Sequence, residues 1–190
     1  MTPILLAGPA AEPLGLDETR LWLRLDARDE DPLVLALIRA ARSAVEQATR
    51  RALVAQAWRL RLDRWPHERR LKLPLSPILS LDAVRVFDAA GAPTLLDLAG
   101  FHINAPRGPQ LVLDATPPAP GRIANGIEID ITAGFGVSGQ DVPEPLRMAM
   151  RLLVAHWYER RGQALHEDRV ATLPAGVAAL VAPWRAARLA

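Results

Sequence analysis

The sequence predicts an α+β protein: a helical bundle core drawn from both ends of the chain, with a small antiparallel β domain inserted between them. Three observations carry that prediction. Apolar residues recur at helical spacing in the first 52 residues and again after residue 141. Between those blocks, short segments alternate apolar and polar residues, which gives a strand one buried and one wet face. Nine of the 17 prolines lie between Pro66 and Pro120, a density that excludes long helices there. The expected organisation is N-terminal helices over 1–52, an inserted β domain over 53–141, and C-terminal helices with a tail over 142–190.

Leu16 to Leu25 reads as a short amphipathic helix, with Asp17 and Glu18 early and Arg20 and Arg24 late, the order a helix dipole favours. A longer helix is expected from about 32 to 51. Asp31 can cap it, and Pro32 suits its first position, where no N–H partner is lost. Its expected core stripe is Leu33, Leu37, Ala41, Ala44, Val45 and Ala48, with Arg39, Arg42, Glu46 and Arg50 off the stripe. Strands are expected over 58–63, 71–73, 81–87, 94–96, 101–104, 110–113 and 127–132, a spacing that fits a small sandwich or a partly open barrel. Pro143 and Pro145 open a last long helix with Leu146, Met150, Leu153, Val154, Trp157 and Tyr158 on its apolar face, closed by Arg160-Arg161-Gly162. A shorter amphipathic segment follows Pro174.

Composition excludes several classes. The chain has 190 residues, is 50% apolar and 23% charged, and carries a net charge of +2, which is globular and not disordered. It has no cysteine, so disulfide scaffolds, cysteine-ligated metals and thiol catalysis are excluded. The pI of 9.9 reflects the use of Arg in place of Lys, since Lys72 is the single lysine. The net charges of the three blocks are −1, 0 and +3, so only the last is basic. The start of the chain has no basic n-region and is interrupted by prolines, and no run of about 18 apolar residues occurs. Neither a targeting segment nor a membrane partner is expected.

No catalytic constellation emerges, and no catalytic residue, metal ligand or cofactor is assigned. Gly134-Phe135-Gly136-Val137-Ser138-Gly139 matches G-x-G-x-x-G, but the next helix begins only near Pro143 and no further strand follows, so no βαβ unit can form. A glycine-rich turn is the simpler reading. His67, His102, His156 and His166 show no metalloprotease spacing, and His166-Glu167-Asp168 reads as a solvated linker. Ser43, Ser76, Ser80 and Ser138 lie in no nucleophile motif, and Lys72 lies in no phosphate loop. Two segments look like interaction surfaces instead. One is the arginine-rich wet face of the first long strand, with Arg59, Arg61 and Arg64, then Arg69 and Arg70. The other is the acid-free tail with Arg169, Leu180, Val181, Trp184, Arg185 and Arg188.

Ordered stretches along nearly the whole chain carry a resemblance. They are Leu16-Asp17-Glu18 through Leu23-Arg24-Leu25-Asp26, Asp29-Glu30-Asp31 into Leu37 to Arg42, and Thr49-Arg50-Arg51-Ala52-Leu53. Trp58 to Asp63 follows with Trp65-Pro66, then Leu73-Pro74-Leu75-Ser76-Pro77 and Thr132 to Gly136. The last are Val142-Pro143-Glu144-Pro145-Leu146-Arg147, Leu152 to Arg161, and Leu173 to Val177. In this order they resemble the head–tail connector (adaptor) proteins of long-tailed phages and gene transfer agents. Residues 101–120 depart from the family's pattern.

The resemblance implies a structural subunit and no enzyme. It implies a homo-oligomeric ring of about twelve subunits in the particle neck, its neighbours meeting through heterologous faces. Its implied partners are the portal protein and a downstream neck or stopper protein, with DNA passing through the channel without specific binding. The implied location is the neck of a virion or gene transfer agent particle, with assembly in the host cytoplasm. The tail residues Arg169, Leu180, Val181, Trp184, Arg185 and Arg188 are then expected to dock on the portal. Arg39, Arg42, Glu46, Arg50, Arg59 and Arg61 are expected to pair across subunits. The competing classes are a nucleotide-binding enzyme using the Gly134–Gly139 loop and a DNA-binding regulator.

Overall fold

The computed structural model describes Met1, residues 3–104, 108–160 and 173–185. The described chain divides into two units: Met1–Ala10 with Ala55–Phe135, and Ala11–Val54 with Gly136 onward. The first is the β unit, the second the helical unit.

The β unit holds eight strands: β1 (Pro3–Ala7), β2 (Gln56–Leu62), β3 (Arg70–Lys72), β4 (Ile78–Phe87), β5 (Pro93–Leu95), β6 (Phe101–Asn104), β7 (Gln110–Leu113) and β8 (Ile127–Ala133). They form a five-stranded sheet in the order β1-β2-β8-β4-β5 and a three-stranded sheet in the order β3-β7-β6. Every pairing is antiparallel. Alternation sets the packing: Ile127, Ile129 and Ile131 of β8, Leu60 of β2 and Val84 of β4 join Leu111 and Leu113 of β7 in one core, closed by Trp65 and Leu73. The seven expected strands all occur, with ends shifted by up to three residues.

β1 is a correction to the expected organisation, which assigned residues 1–52 to helices. It pairs along β2 with Ile4 opposite Arg59 and Leu5 opposite Trp58. Its five residues are all Pro or aliphatic and show no alternation, so periodicity carries no strand signal. As an edge strand it leaves Ile4 38%, Leu5 49% and Leu6 47% exposed.

The helical unit contains α1 (Leu16–Leu23), α2 (Asp31–Thr49), α3 (Glu144–Glu159) and α4 (Ala175–Val181). Leu14, Val34, Ile38, Val45, Leu53, Leu146, Met150, Leu153, Val177 and Val181 are buried. The α2 stripe differs from expectation by one residue. Val34, Ile38, Ala41, Val45 and Thr49 face inward, while Leu33 is 36% exposed and Leu37 is only half-buried. Thr49 tolerates burial because its hydroxyl donates to the Val45 carbonyl at 2.8 Å. Asp31 does not cap α2 but starts it, and its carboxylate lies 3.3 Å from Arg20 Nε. Arg20 also donates to the Asp26 and Ala27 carbonyls, which holds the connection between α1 and α2.

Candidate assembly surfaces

The glycine motif folds onto itself. Ser138 caps a short 3₁₀ turn, Gly139–Asp141, by accepting from Gln140 N–H at 3.2 Å, and Ser138 N–H donates back to Asp141 Oδ2 at 2.9 Å. A Cβ on Gly136 would meet that same oxygen at 2.2 Å. Glycine is therefore required here because the Asp141 carboxylate occupies the loop's interior. The carboxylate satisfies the turn's donor and puts negative charge where a phosphate would have to sit, which disfavours a nucleotide there.

The histidines are dispersed. His67 is exposed, His102 lies 2.9 Å from the Asp114 carboxylate on the surface, and His156 sits in the last turn of α3. His166 and the triplet it begins lie outside the described residues. Among the described residues no group of three or more His, Asp or Glu is placed to hold a metal ion. The Ser80 hydroxyl donates to Asp82 at 2.6 Å, a bond made within β4.

The arginine face of β2 is spent inside the subunit. Register places Arg59 opposite Asp130 and Arg61 opposite Glu128 on β8. Arg59 forms a two-pronged bond to Asp130 at 2.7 and 2.9 Å and reaches Glu128 at 3.2 Å. Arg61 meets Glu128 at 3.0 Å, and Arg85 of β4 meets Asp130 at 2.6 Å. Burial alone would raise the Asp130 carboxyl, but the bonds and charges of Arg59 and Arg85 outweigh it and hold the group below the ordinary aspartate value. Glu128 and Asp130 are only 6% and 8% exposed because the guanidiniums cover them. Arg59 and Arg61, expected to pair across subunits, find acids one strand away in their own chain. The signal was present in the parallel alternation of Arg59-Leu60-Arg61 and Glu128-Ile129-Asp130, which strand pairing alone brings side by side.

α2 splits its candidate charges. Arg42 meets Glu12 at 2.8 Å and Glu46 at 3.0 Å, and Glu46 also accepts the Leu53 N–H at 2.9 Å. This pair, expected to reach across subunits, closes the helix end within its own chain. Arg39 and Arg50 are exposed with no ion-pair partner among the described residues. Arg50 ends α2 in the left-handed conformation at φ 57°, where Gly is the usual residue.

The tail is partly committed to its own unit. Val181, expected to dock on the portal, is completely buried within its own unit. The Trp184 carbonyl accepts from Arg51 Nε at 2.7 Å, and the Arg51 guanidinium lies 5.9 Å from the indole centroid. Burial pulls the Arg51 pKa downward. Leu180 is half-buried and Arg185 is exposed. Arg169 and Arg188 lie outside the described residues.

No protein-family model and no curated protein sequence matches the chain. Solved structures do. A chain in the neck of an empty GTA (gene transfer agent) particle computed with C6 symmetry is 33% identical, with a TM-score of 0.84 over 100% of this chain and 98% of that one. A chain in the virion of a native GTA particle matches at 33% identity over the same coverage, with a TM-score of 0.82. A chain in the neck of a native GTA particle computed with C12 symmetry matches at 33% identity, with a TM-score of 0.80. These matches, at 33% identity over the whole chain, define a structural protein of a particle neck, mixed α+β in class. The chain belongs to the head–tail connector (adaptor) family of long-tailed phages and gene transfer agents.

Proposed function

We propose that the chain is an adaptor subunit: copies form a ring that joins the portal to the next neck protein and leaves a channel for DNA. The supporting observation is the end-to-end match, at 33% identity, to a chain in a neck computed with C12 symmetry. A ring of one chain then follows from heterologous contacts that close on themselves. The self-filled Gly136 loop and the dispersed histidines support a role in packing over a role in catalysis.

Within the tail, Arg185 and Leu180 are the described residues available to meet the portal, with Arg169 and Arg188 as further members. Cutting the chain at Arg169 is a poor test, because it removes Val177 and Val181 from the core. The direct experiment is electron microscopy of the full chain mixed with portal-bearing capsids. The expected result is an added ring of density below the portal, weakened by Arg185→Glu. Particles without added density would overturn the reading, and full occupancy by the Arg185→Glu variant would remove the tail assignment.

A further inference from the structure

A ring built from one chain needs a surface that fits a different surface of the same chain. The β unit carries two that match. The first is a knob on the loop between β7 and β8. Gly121 N–H donates to the Phe87 carbonyl and Phe87 N–H to the Gly126 carbonyl, both at 2.9 Å. Asn125 N–H donates to Asp63 Oδ1 at 2.7 Å, and the Arg122 guanidinium lies 4.9 Å from the Phe87 ring centroid. A Cβ on Gly121 would sit 2.3 Å from Ala89 N, so the loop lies directly against the 88–91 turn. On this clamped backbone Ile123 is 97% exposed. A large aliphatic side chain held out by a fixed loop loses little freedom when it meets a partner.

The second is a cleft of about 250 Å³ lined by Leu96, Asp97, Phe101, Asp114, Ala115 and Pro117, among others. Its wall is braced from behind: Trp65 Nε1 donates to the Pro118 carbonyl at 2.9 Å, and the Trp65 and Phe101 rings stand 6.1 Å apart. A cavity of about 150 Å³ already admits a benzene ring, so an isoleucine side chain fits. Arg64 and Arg122 line the hollow beside Ile123 together with Asp63, whereas Asp97 and Asp114 are exposed at the cleft, where Arg69 donates to the Asp114 carbonyl. Asp97 accepts the Ala99 N–H and Asp114 adjoins His102, so both carboxylates are held in place.

We propose that Ile123 of one copy seats in this cleft of the next copy, with Arg122 facing Asp97 and Asp114. The inference rests on the ring reading above and supplies its subunit contact. Knob and cleft are different surfaces of one chain, the condition that a heterologous contact sets.

The chain has no cysteine, so an introduced pair reports cleanly. Ile123→Cys and Ala115→Cys are placed together in the full chain, and assembled necks are run on non-reducing gels. The expected result is a ladder of multiples of the chain, absent from either single variant, whose melting curves check folding. Necks that image with the ring in place but yield only monomer bands would overturn the contact. In a second arm, Arg122→Asp is expected to reduce incorporation into necks by about tenfold, the scale of a binding hot spot. Asp97→Arg with Asp114→Arg in the same chain is expected to restore it. A folded Arg122→Asp chain that is not rescued this way docks on a different protein, which also overturns the proposal. If the unsubstituted chain forms no ring in necks, the ring reading itself falls, a separate outcome.

Discussion

Arg147 and Glu18 lie 129 residues apart in sequence and meet in a two-pronged ion pair, Arg147 Nη2 donating to both carboxylate oxygens at 2.9 and 3.0 Å. The same guanidinium reaches the Pro13 carbonyl at 3.2 Å, Gln140 at 2.9 Å and Glu144 at 3.1 Å, so every face of the fork is used. Arg151 bonds to the same Glu18 carboxylate. Residues from both ends of the chain are thereby tied within the helical unit. Arg147→Ala leaves a half-buried carboxylate with Arg151 and the Gly15 backbone as its remaining partners and is expected to cost about 3 kcal/mol, as for other broken buried pairs. Arg147→Lys is expected to recover less than half, because an ammonium cannot replace the planar fork. Urea midpoints of the three proteins check this.

Acid should release two of these networks. Burial alone would raise the Glu18 carboxyl from its ordinary 4.5, but Arg151 and Arg147 outweigh burial and depress it. Asp130 is likewise held below its ordinary 3.8 by Arg59 and Arg85. A depressed carboxyl contributes its stability above the ordinary value and loses it as pH falls through the lowered one. Stability is therefore expected to be flat above about pH 5 and to fall steadily below pH 4. Glu18→Gln and Asp130→Asn should each flatten that slope in pH-dependent urea denaturation; an unchanged slope would rule out the corresponding group.

The phase of α2 separates neighbouring residues of similar chemistry. Ile38 is completely buried while Leu37 is only half-buried. Ile38→Ala is expected to cost about 3 kcal/mol and Leu37→Ala less than about 1 kcal/mol. Thermal melts that rank them the other way would restore the stripe read from periodicity.

Assembly should respond to charges that the subunit does not consume. We propose Arg39 and Arg50 as the α2 charges left for a neighbour. Their reversal to Glu is expected to reduce ring formation without lowering the melting temperature of the free chain. Raising salt from 0.1 to 1 M shortens the screening length from about 10 to about 3 Å and is expected to weaken the ring further. Rings indifferent to salt and to both reversals would show that apolar contacts such as Ile123 carry assembly. Reversal of Arg42 should instead destabilise the free chain, since it binds Glu12 and Glu46.

The sequence by itself determined that helices from both ends of the chain flank a run of strands, the approximate span of α2 and α3, and the position of seven of the eight described strands. Those features are local: helical spacing, strict alternation and proline density act over a few residues. It also determined that the glycine motif lacked a βαβ context. Tertiary structure alone decided the rest. Leu33 and Val34, like Leu37 and Ile38, are both apolar, so spacing sets the period of α2 and not its phase. Pro3–Ala7 carries no alternation and becomes a strand only because β2 offers it an open edge. Arg59 and Arg61 find their acids on β8, about 70 residues away in sequence, through antiparallel pairing. Which charges are left for a neighbour depends on which are already paired at home, and only folding settles that.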